Sequence, residues 1–328
     1  MSAVFVEICG IRGKKPLLKC CTFAPQNKEM RIKYYLAAIL AFTIWGFFSF
    51  VLRPLHHYPS PDILFYRIFF CVILMLVINL AFRRNIITEA KGNFIALPSI
   101  QKRKLILLIV GSSLLLMANW FIFIYVMNHI SVKAASFAYL VCPILTTVFA
   151  YFILKEKLSV LQWASVLVSI VGCVLLSLHN FADVFYSIIV AATYALYLIL
   201  QKKITGIDKF LLLSIQLVIS GVLLLPFYPF YSGPVPAELS FFGYICIIAV
   251  MFTIVPLFLN LYALKGISSS AVGILLYINP VIGFLLAAFY YHEATSALQI
   301  AAYGLIVISI LIFNVGSYLS RNNGRHVM

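Results

Sequence analysis

The chain has 328 residues, of which 64% are hydrophobic and only 10% are charged, and its formal net charge is +15. Such a composition is far more apolar than a water-soluble core requires, so it excludes an ordinary soluble domain and predicts an integral membrane protein. The basic loops are short and lack interleaved aromatic residues, which argues against a nucleic-acid partner.

Residues 1–29 precede the first long apolar stretch and do not form a span. A signal peptide would place positive charge before an unbroken apolar region. Here Glu7 interrupts the apolar residues, and the basic residues follow them. We predict that residues 1–29 are a disordered basic N-terminal extension.

Ten apolar stretches follow, each close to the roughly 20 residues that a membrane-spanning helix needs. They cover residues 34–52, 63–82, 105–127, 134–154, 160–178, 184–200, 210–228, 241–264, 271–290 and 298–317. The sequence therefore predicts an all-α integral membrane protein with ten transmembrane helices. Pro226 and Pro229 lie near the end of the seventh stretch and predict that this helix ends early.

Lys and Arg residues fall on alternate loops between these stretches. If both termini are cytoplasmic, the cytoplasmic segments hold all but three of the 24 basic residues. Arg53 and Lys133 then lie outside and Arg67 lies within a span. This positive-inside bias predicts that both termini are cytoplasmic, and it draws the basic loops toward anionic lipid.

A stretch of about fifty residues recurs without a gap 137 positions further along the chain. Ser131, Ala134, Pro143, Glu156, Leu161 and Gln162 return as Ser268, Ala271, Pro280, Glu293, Leu298 and Gln299. We predict two five-helix repeats, at 30–180 and at 181–328 with a short cytoplasmic tail. Because five is odd, the second copy enters the bilayer from the opposite face, so the repeats are inverted, as in carriers that rock around a midplane site. The alternative is a duplication that only builds a stable scaffold.

Arg67 is the only charged residue well inside a predicted span. Asp62 lies five positions earlier, which is a poor helical spacing for a partner. In one interpretation Arg67 faces a wet cavity and offers its planar guanidinium to a carboxylate or phosphate. In the other it extends to the outer surface along the helix.

Pro143 and Pro280 occupy equivalent positions near the middle of the fourth and ninth spans. Each removes a backbone donor, and Tyr277 and Asn279 lie beside the second. Broken turns at matched positions favour a cavity lining, although kinking alone is the simpler explanation. Asn119, Trp120 and Trp45 are further lining candidates, and packing or lipid contact is the alternative for the aromatic residues.

Glu156 and Glu293 are predicted where helices meet water, and pairing with a neighbouring loop is the simpler explanation for them. No Asp or Glu lies in the middle of a span, so the sequence offers no carrier for proton coupling. It also shows no Walker A loop, no metal-ligand spacing and no catalytic constellation. We therefore predict no cofactor, no metal site and no catalytic residues.

Several short motifs together resemble the EamA family of the drug/metabolite transporter superfamily, in particular its RarD-like branch. The resemblance covers residues 30–318 and includes Ile44-Trp45-Gly46, Tyr66-Arg67, Asn119-Trp120, Tyr139 to Pro143, Lys155-Glu156-Lys157, Val255-Pro256-Leu257 and Tyr277-Ile278-Asn279-Pro280. Lys155 and Ala294 depart from the usual pattern beside the two glutamates.

The resemblance implies a ten-helix bundle in the cytoplasmic (inner) membrane that carries small organic solutes. We expect a secondary transporter, working by export, with a homodimer also compatible with the sequence. Its predicted solute cavity is bordered by Arg67, Asn119, Trp120, Tyr139, Tyr277 and Asn279. The rival classes are a receptor or assembly subunit that does not transport, and a membrane-embedded enzyme.

Overall fold

The computed structural model describes residues 28–55, 57–129, 132–177, 181–290 and 297–323, and every regular element in these ranges is helical. The all-helical prediction is therefore confirmed. The α-helices in these ranges are α1 (Lys28–Gly46), α2 (Phe48–Leu52), α3 (Ser60–Phe82), α4 (Arg84–Ala96), α5 (Ser99–His129), α6 (Val132–Leu154), α7 (Val160–Ser177), α8 (Phe181–Lys203), α9 (Lys209–Leu224), α10 (Tyr228–Tyr231), α11 (Leu239–Ala249), α12 (Val255–Gly266), α13 (Ser269–Leu275), α14 (Ile278–Leu285) and α15 (Ala297–Asn323). The extension predicted for residues 1–29 falls almost wholly outside the described residues.

Seven helical segments in the described part of the chain are long and apolar enough to cross a membrane: Ile32–Leu55, Ser60–Phe82, Ser99–Phe123, Phe185–Lys203, Lys209–Tyr231, Leu239–Gly266 and Ile300–Leu319. Three shorter apolar helical segments are Ala138–Leu154, Val160–Leu175 and Ser269–Gly283. The seven coincide with predicted spans one to three, six to eight and ten, and the three shorter segments coincide with the fourth, fifth and ninth. The chain is thus a multi-pass membrane protein.

Two regions show where local sequence predicts the structure and where it does not. The α9 helix ends at Leu224 and passes into a 3₁₀ turn at Leu225–Phe227 that contains Pro226, as the prolines predict. The α4 helix lies where the sequence suggested only a basic loop. Ile86, Ile87, Ala90 and Phe94 share one half-buried face of α4, whereas its charged residues are exposed, so this short helix is amphipathic.

Two π turns occur among the described helices. One turn, Val250–Ile254, separates α11 from α12, and the other, Leu286–Tyr290, follows α14. Pro256, near the start of α12, has no N–H to donate to the carbonyl of Phe252 four residues earlier. The indole Nε1 of Trp45 donates to that carbonyl instead, at 2.8 Å. Trp45 therefore holds α1 against the interrupted helix.

The main contacts between helices have counterparts between the equivalent helices of the opposite halves of the chain. The α5 helix packs on α8 and α12 packs on α1; α6 packs on α8 and α14 packs on α1. The α3 helix contacts α9, and α7 lies along α15. The large buried core between them includes Phe42, Ile68, Met75 and Tyr197, and it surrounds the candidate site.

Candidate functional site

Arg67 on α3 lies among helices rather than reaching a carboxylate. Its guanidinium carbon is 5.2 Å from the centroid of the Trp120 ring on α5, a cation–π contact. The Nε atom is buried and has no hydrogen-bond partner among the described residues. Asp62 accepts hydrogen bonds from the backbone N–H of Gly233 at 3.0 and 3.2 Å instead. Arg67 thus carries a positive charge that no acid in the described part of the chain neutralises.

Tyr139 on α6 joins the cluster around Arg67 through α5. Its ring is 5.5 Å from that of Phe123, three residues after Trp120 on the same helix. Three separate predicted spans therefore contribute to this cluster, in which Arg67 contacts Trp120 and Tyr139 packs on the same α5 helix. A guanidinium beside an aromatic ring can receive an anionic group whose organic body rests on the ring.

Asn119 lies beside Trp120 in sequence but points to another helix. Its amide nitrogen donates to the Val190 carbonyl at 2.8 Å and to the Thr193 hydroxyl at 3.1 Å, both on α8. In this structure Asn119 therefore joins α5 to α8 and is not part of the cluster around Arg67.

Tyr277, Asn279 and Pro280 surround the interruption between α13 and α14. Tyr277 is fully buried and lies near Ser169 and Cys173 of α7, whereas Asn279 is half-buried. Pro280 lies in the first turn of α14. By contrast, α6 continues through Pro143, where the Thr147 hydroxyl donates to the Pro143 carbonyl at 2.9 Å. The two prolines thus have different surroundings.

Glu156 follows α6 and binds the start of α13. Its carboxylate accepts from the backbone N–H of Ser269 at 2.8 Å, the backbone N–H of Ser270 at 3.2 Å and the Ser270 hydroxyl at 2.7 Å. A carboxylate at a helix N-terminus is favoured by the helix dipole. Glu156 therefore links the two predicted repeats, and its counterpart Glu293 lies outside the described residues.

Lys202, at the end of α8, holds the other side of the same turn. Its ammonium donates to the Leu264 carbonyl at 2.6 Å and to the Ile267 carbonyl. These carbonyls lie at the end of α12, where positive charge is favoured. The α12–α13 turn is thus held by an acid at one helix end and a base at the other.

A group of buried polar residues escaped the sequence analysis. Tyr194, Tyr197 and Gln201 lie on one face of α8, and Asn260 of α12 donates from Nδ2 to the Tyr194 hydroxyl at 3.1 Å. The Tyr197 hydroxyl, both Gln201 amide atoms and Asn260 Oδ1 have no hydrogen-bond partner among the described residues. Each unsatisfied buried group costs about 1–3 kcal/mol. Their i, i+3, i+7 spacing on α8 was the signal that could have revealed them.

A shallow surface cleft lies elsewhere. It has a volume of about 420 Å³ and lies at the start of α5 near the end of α8, lined by Ile100, Arg103, Lys104, Leu107, Leu108 and Leu200. None of the predicted solute-binding residues lines it.

Comparison with known proteins agrees with the fold. The chain is 29% identical over 294 residues to the uncharacterized transporter YojE of Bacillus subtilis (88% of this chain, 95% of YojE), and 26% identical over 290 residues to Protein RarD of Escherichia coli (85% and 92%). A solved structure, the crystal structure of a protein with 15% identity, has a TM-score of 0.68 and covers 87% of this chain and 98% of its own.

The EamA-like transporter family matches the chain twice, at residues 32–178 and 182–315, which together span most of the sequence. Relatives that match 85–89% of this chain are named as transporters or as Protein RarD. The chain belongs to the EamA-like transporter family.

Proposed function

We propose that the protein is a secondary transporter that moves a small organic solute with an anionic group across the cytoplasmic membrane by alternating access. Export is the proposed direction, in keeping with the family resemblance. The single observation that carries the anionic preference is the Arg67 guanidinium, which contacts Trp120 and has no acidic partner among the described residues. Arg67, Trp120 and Tyr139 form the proposed binding site.

The energetic reason for this assignment is the position of the charge. A central arginine in a spanning helix raises the insertion free energy by about 3 kcal/mol. A purely structural role would ordinarily pair Arg67 with a carboxylate, but the Asp62 carboxylate accepts hydrogen bonds from the backbone N–H of Gly233 instead. A carboxylate or phosphate on the solute would supply both the missing charge and acceptors for the planar N–H groups.

Two helix contacts support the inverted repeat on which the proposed alternating access rests. The Ser165 hydroxyl on α7 donates to the Ser309 carbonyl on α15 at 2.8 Å. Seven residues later, a Cβ at Gly172 would lie 3.3 Å from the Ala302 carbonyl. Adding the repeat offset of 137 converts Ser165 to Ala302 and Gly172 to Ser309. Each contact is therefore the repeat counterpart of the other. Their order along the two helices shows that α7 and α15 are antiparallel.

The proposed orientation places Glu156 and Lys202 on the cytoplasmic side. It is supported by the basic loops, because Lys155, Lys157, Lys203 and Lys265 are exposed around this end of the bundle. Positive residues concentrate in cytoplasmic loops. Both termini would then be cytoplasmic, and the two copies would each contribute one gate.

Ligand-dependent stabilisation of the purified protein tests the site. Benzoate and phenyl phosphate serve as anionic probes and benzyl alcohol as the neutral one, with the melting temperature as readout. We expect the anions alone to raise it, and we expect Arg67→Lys to weaken the effect because the two-pronged contact is lost. Arg103→Lys, an exposed site at the start of α5, is the matched control. Equal shifts in wild type and Arg67→Lys would contradict the site.

Transport itself is tested by comparing metabolites inside and outside cells that express wild type or Arg67→Ala. Anionic compounds that differ are then assayed for flux in proteoliposomes. We expect wild-type flux above that of Arg67→Ala. Binding without flux would instead favour a receptor or assembly subunit.

A further inference from the structure

One face of α8 has buried polar residues along the part of the helix that leads to Lys202. Tyr194, Tyr197 and Gln201 recur at helical spacing, and each is at most 7% exposed. Asn260 of α12 lies against Tyr194 and is fully buried. We name these four residues the polar stripe.

The hydrogen-bonding groups of the polar stripe are poorly matched to their surroundings. Four of its polar atoms, the Tyr197 hydroxyl, the two amide atoms of Gln201 and Asn260 Oδ1, lack partners within the described ranges. Apolar residues of similar size would fill the same space without this penalty. A second state in which water or a ligand satisfies these groups would explain why the chain keeps them.

The polar stripe and the proposed anion site share one buried core. Tyr194 and Tyr197 belong to the core against which Trp120 packs, and α8 packs along α6, the helix that carries Tyr139. The Tyr194 and Tyr197 rings are 5.7 Å apart, and Gln201 is followed directly by Lys202. At 1.5 Å per residue, the stripe on α8 extends for about 10 Å toward that end of the bundle.

The end of the polar stripe is closed in this structure. Glu156 and Lys202 fix the α12–α13 turn, and Gly266 in that turn packs against the Tyr34 ring. Just inside, a Cβ at Gly273 would come within 2.8 Å of Thr146, so α13 and α6 are in close contact.

We infer that the polar stripe of Tyr194, Tyr197, Gln201 and Asn260 lines the cytoplasmic half of the solute route, and that Glu156 and Lys202 form its closed gate. The inference rests on the proposed function, since a route has meaning only if the chain carries a solute. Opening requires the α12–α13 turn to leave Glu156, which exposes the stripe to water. An anionic solute leaving Arg67 then meets hydroxyl and amide donors along α8.

Cysteine labelling tests the route. Single cysteines replace Tyr197, Gln201 or, as matched control, Ile199, which is equally buried on the opposite side of α8. The background lacks the seven native cysteines and carries either Glu156 or Glu156→Gln. In inside-out vesicles, a membrane-impermeant maleimide should label Y197C and Q201C about tenfold faster with Glu156→Gln, as the open population grows. The rate at I199C should not change, and Glu89→Gln on exposed α4 should change none of the rates.

Equal labelling of all three positions, or no response to Glu156→Gln, would overturn the inference. A second measurement needs no cysteine variants. Tyr197→Phe and Gln201→Met in the otherwise native chain should keep or raise the melting temperature, because they remove unsatisfied groups. A clear fall in both would show that these groups have structural partners, and it would also overturn the route.

The two proposals fail separately. If the labelling differences are absent but benzoate still stabilises the protein through Arg67, the route is contradicted and the anion site stands. The reverse result, with the labelling pattern intact and no effect of Arg67→Lys, removes the anion site and leaves the route.

Discussion

Pro143 and Pro280 occupy equivalent positions in the two copies, yet α6 runs through the first and the chain breaks before the second, at Leu276–Tyr277. The flanking residues differ. Gly273 and Gly283 stand in the second copy where Ser136 and Thr146 stand in the first. Glycine weakens a helix by about 0.5–1 kcal/mol relative to alanine. The two glycines are therefore a physical reason why the helix is interrupted beside Pro280 and continues through Pro143.

The largest expected effect is at the contact between the two copies. Gly273→Val should lower the free energy of unfolding by about 3 kcal/mol, because the new side chain meets Thr146 at 2.8 Å or less. Gly243→Val is the control, because Gly243 on α11 is exposed and no described atom lies within 4 Å of a Cβ there, so it should be nearly neutral. Thermal melts in detergent measure both. Equal losses would mean that the contact between α6 and α13 is not the cause.

Removal of the Glu156 carboxylate should have the next largest effect. Glu156→Ala should lower the free energy of unfolding by about 2 kcal/mol, because three hydrogen bonds to a charged group are lost. Glu238, an exposed acid directly before α11, is the control, and Glu238→Ala should change the melting temperature little. A similar loss in both variants would show that the Glu156 contact contributes no more than an exposed acid.

The smallest expected effect compares the prolines themselves. Pro143→Ala should raise the free energy of unfolding by about 1 kcal/mol, since α6 is continuous and gains a backbone donor. Pro280→Ala should change it less, because the first turn of α14 does not need that N–H. Thermal melts of the two single variants measure the two changes in the free energy of unfolding. A larger gain for Pro280→Ala would imply that the proline itself holds the helix open.

The sequence predicts what depends on local composition and misses what depends on partners. Length, apolarity and Pro226 suffice for the apolar helices and for the end of α9, because each follows from local backbone chemistry. Arg67 could be selected because charged groups are rare in spans, and Trp120 and Tyr139 because they belong to the motifs that carry the family resemblance. The contact between Arg67 and Trp120, however, became visible only once their helices were packed.

Other features depend wholly on tertiary contacts. Asn119 resembles a cavity residue in sequence, but α8 offers its amide a carbonyl and a hydroxyl, and nothing local to Asn119 encodes that choice. Glu156 likewise finds its donors more than a hundred residues away. The α4 helix was missed because its apolar face is short and the basic residues around it read as a loop.

The indole of Trp45 joins two distant parts of the chain through a backbone group. Without it, the Phe252 carbonyl would lack the donor that Pro256 cannot supply, at a depth where hydrocarbon offers none. A substitution that removes the indole N–H from α1 should therefore act on the chain 207 residues away, where the π turn meets α12.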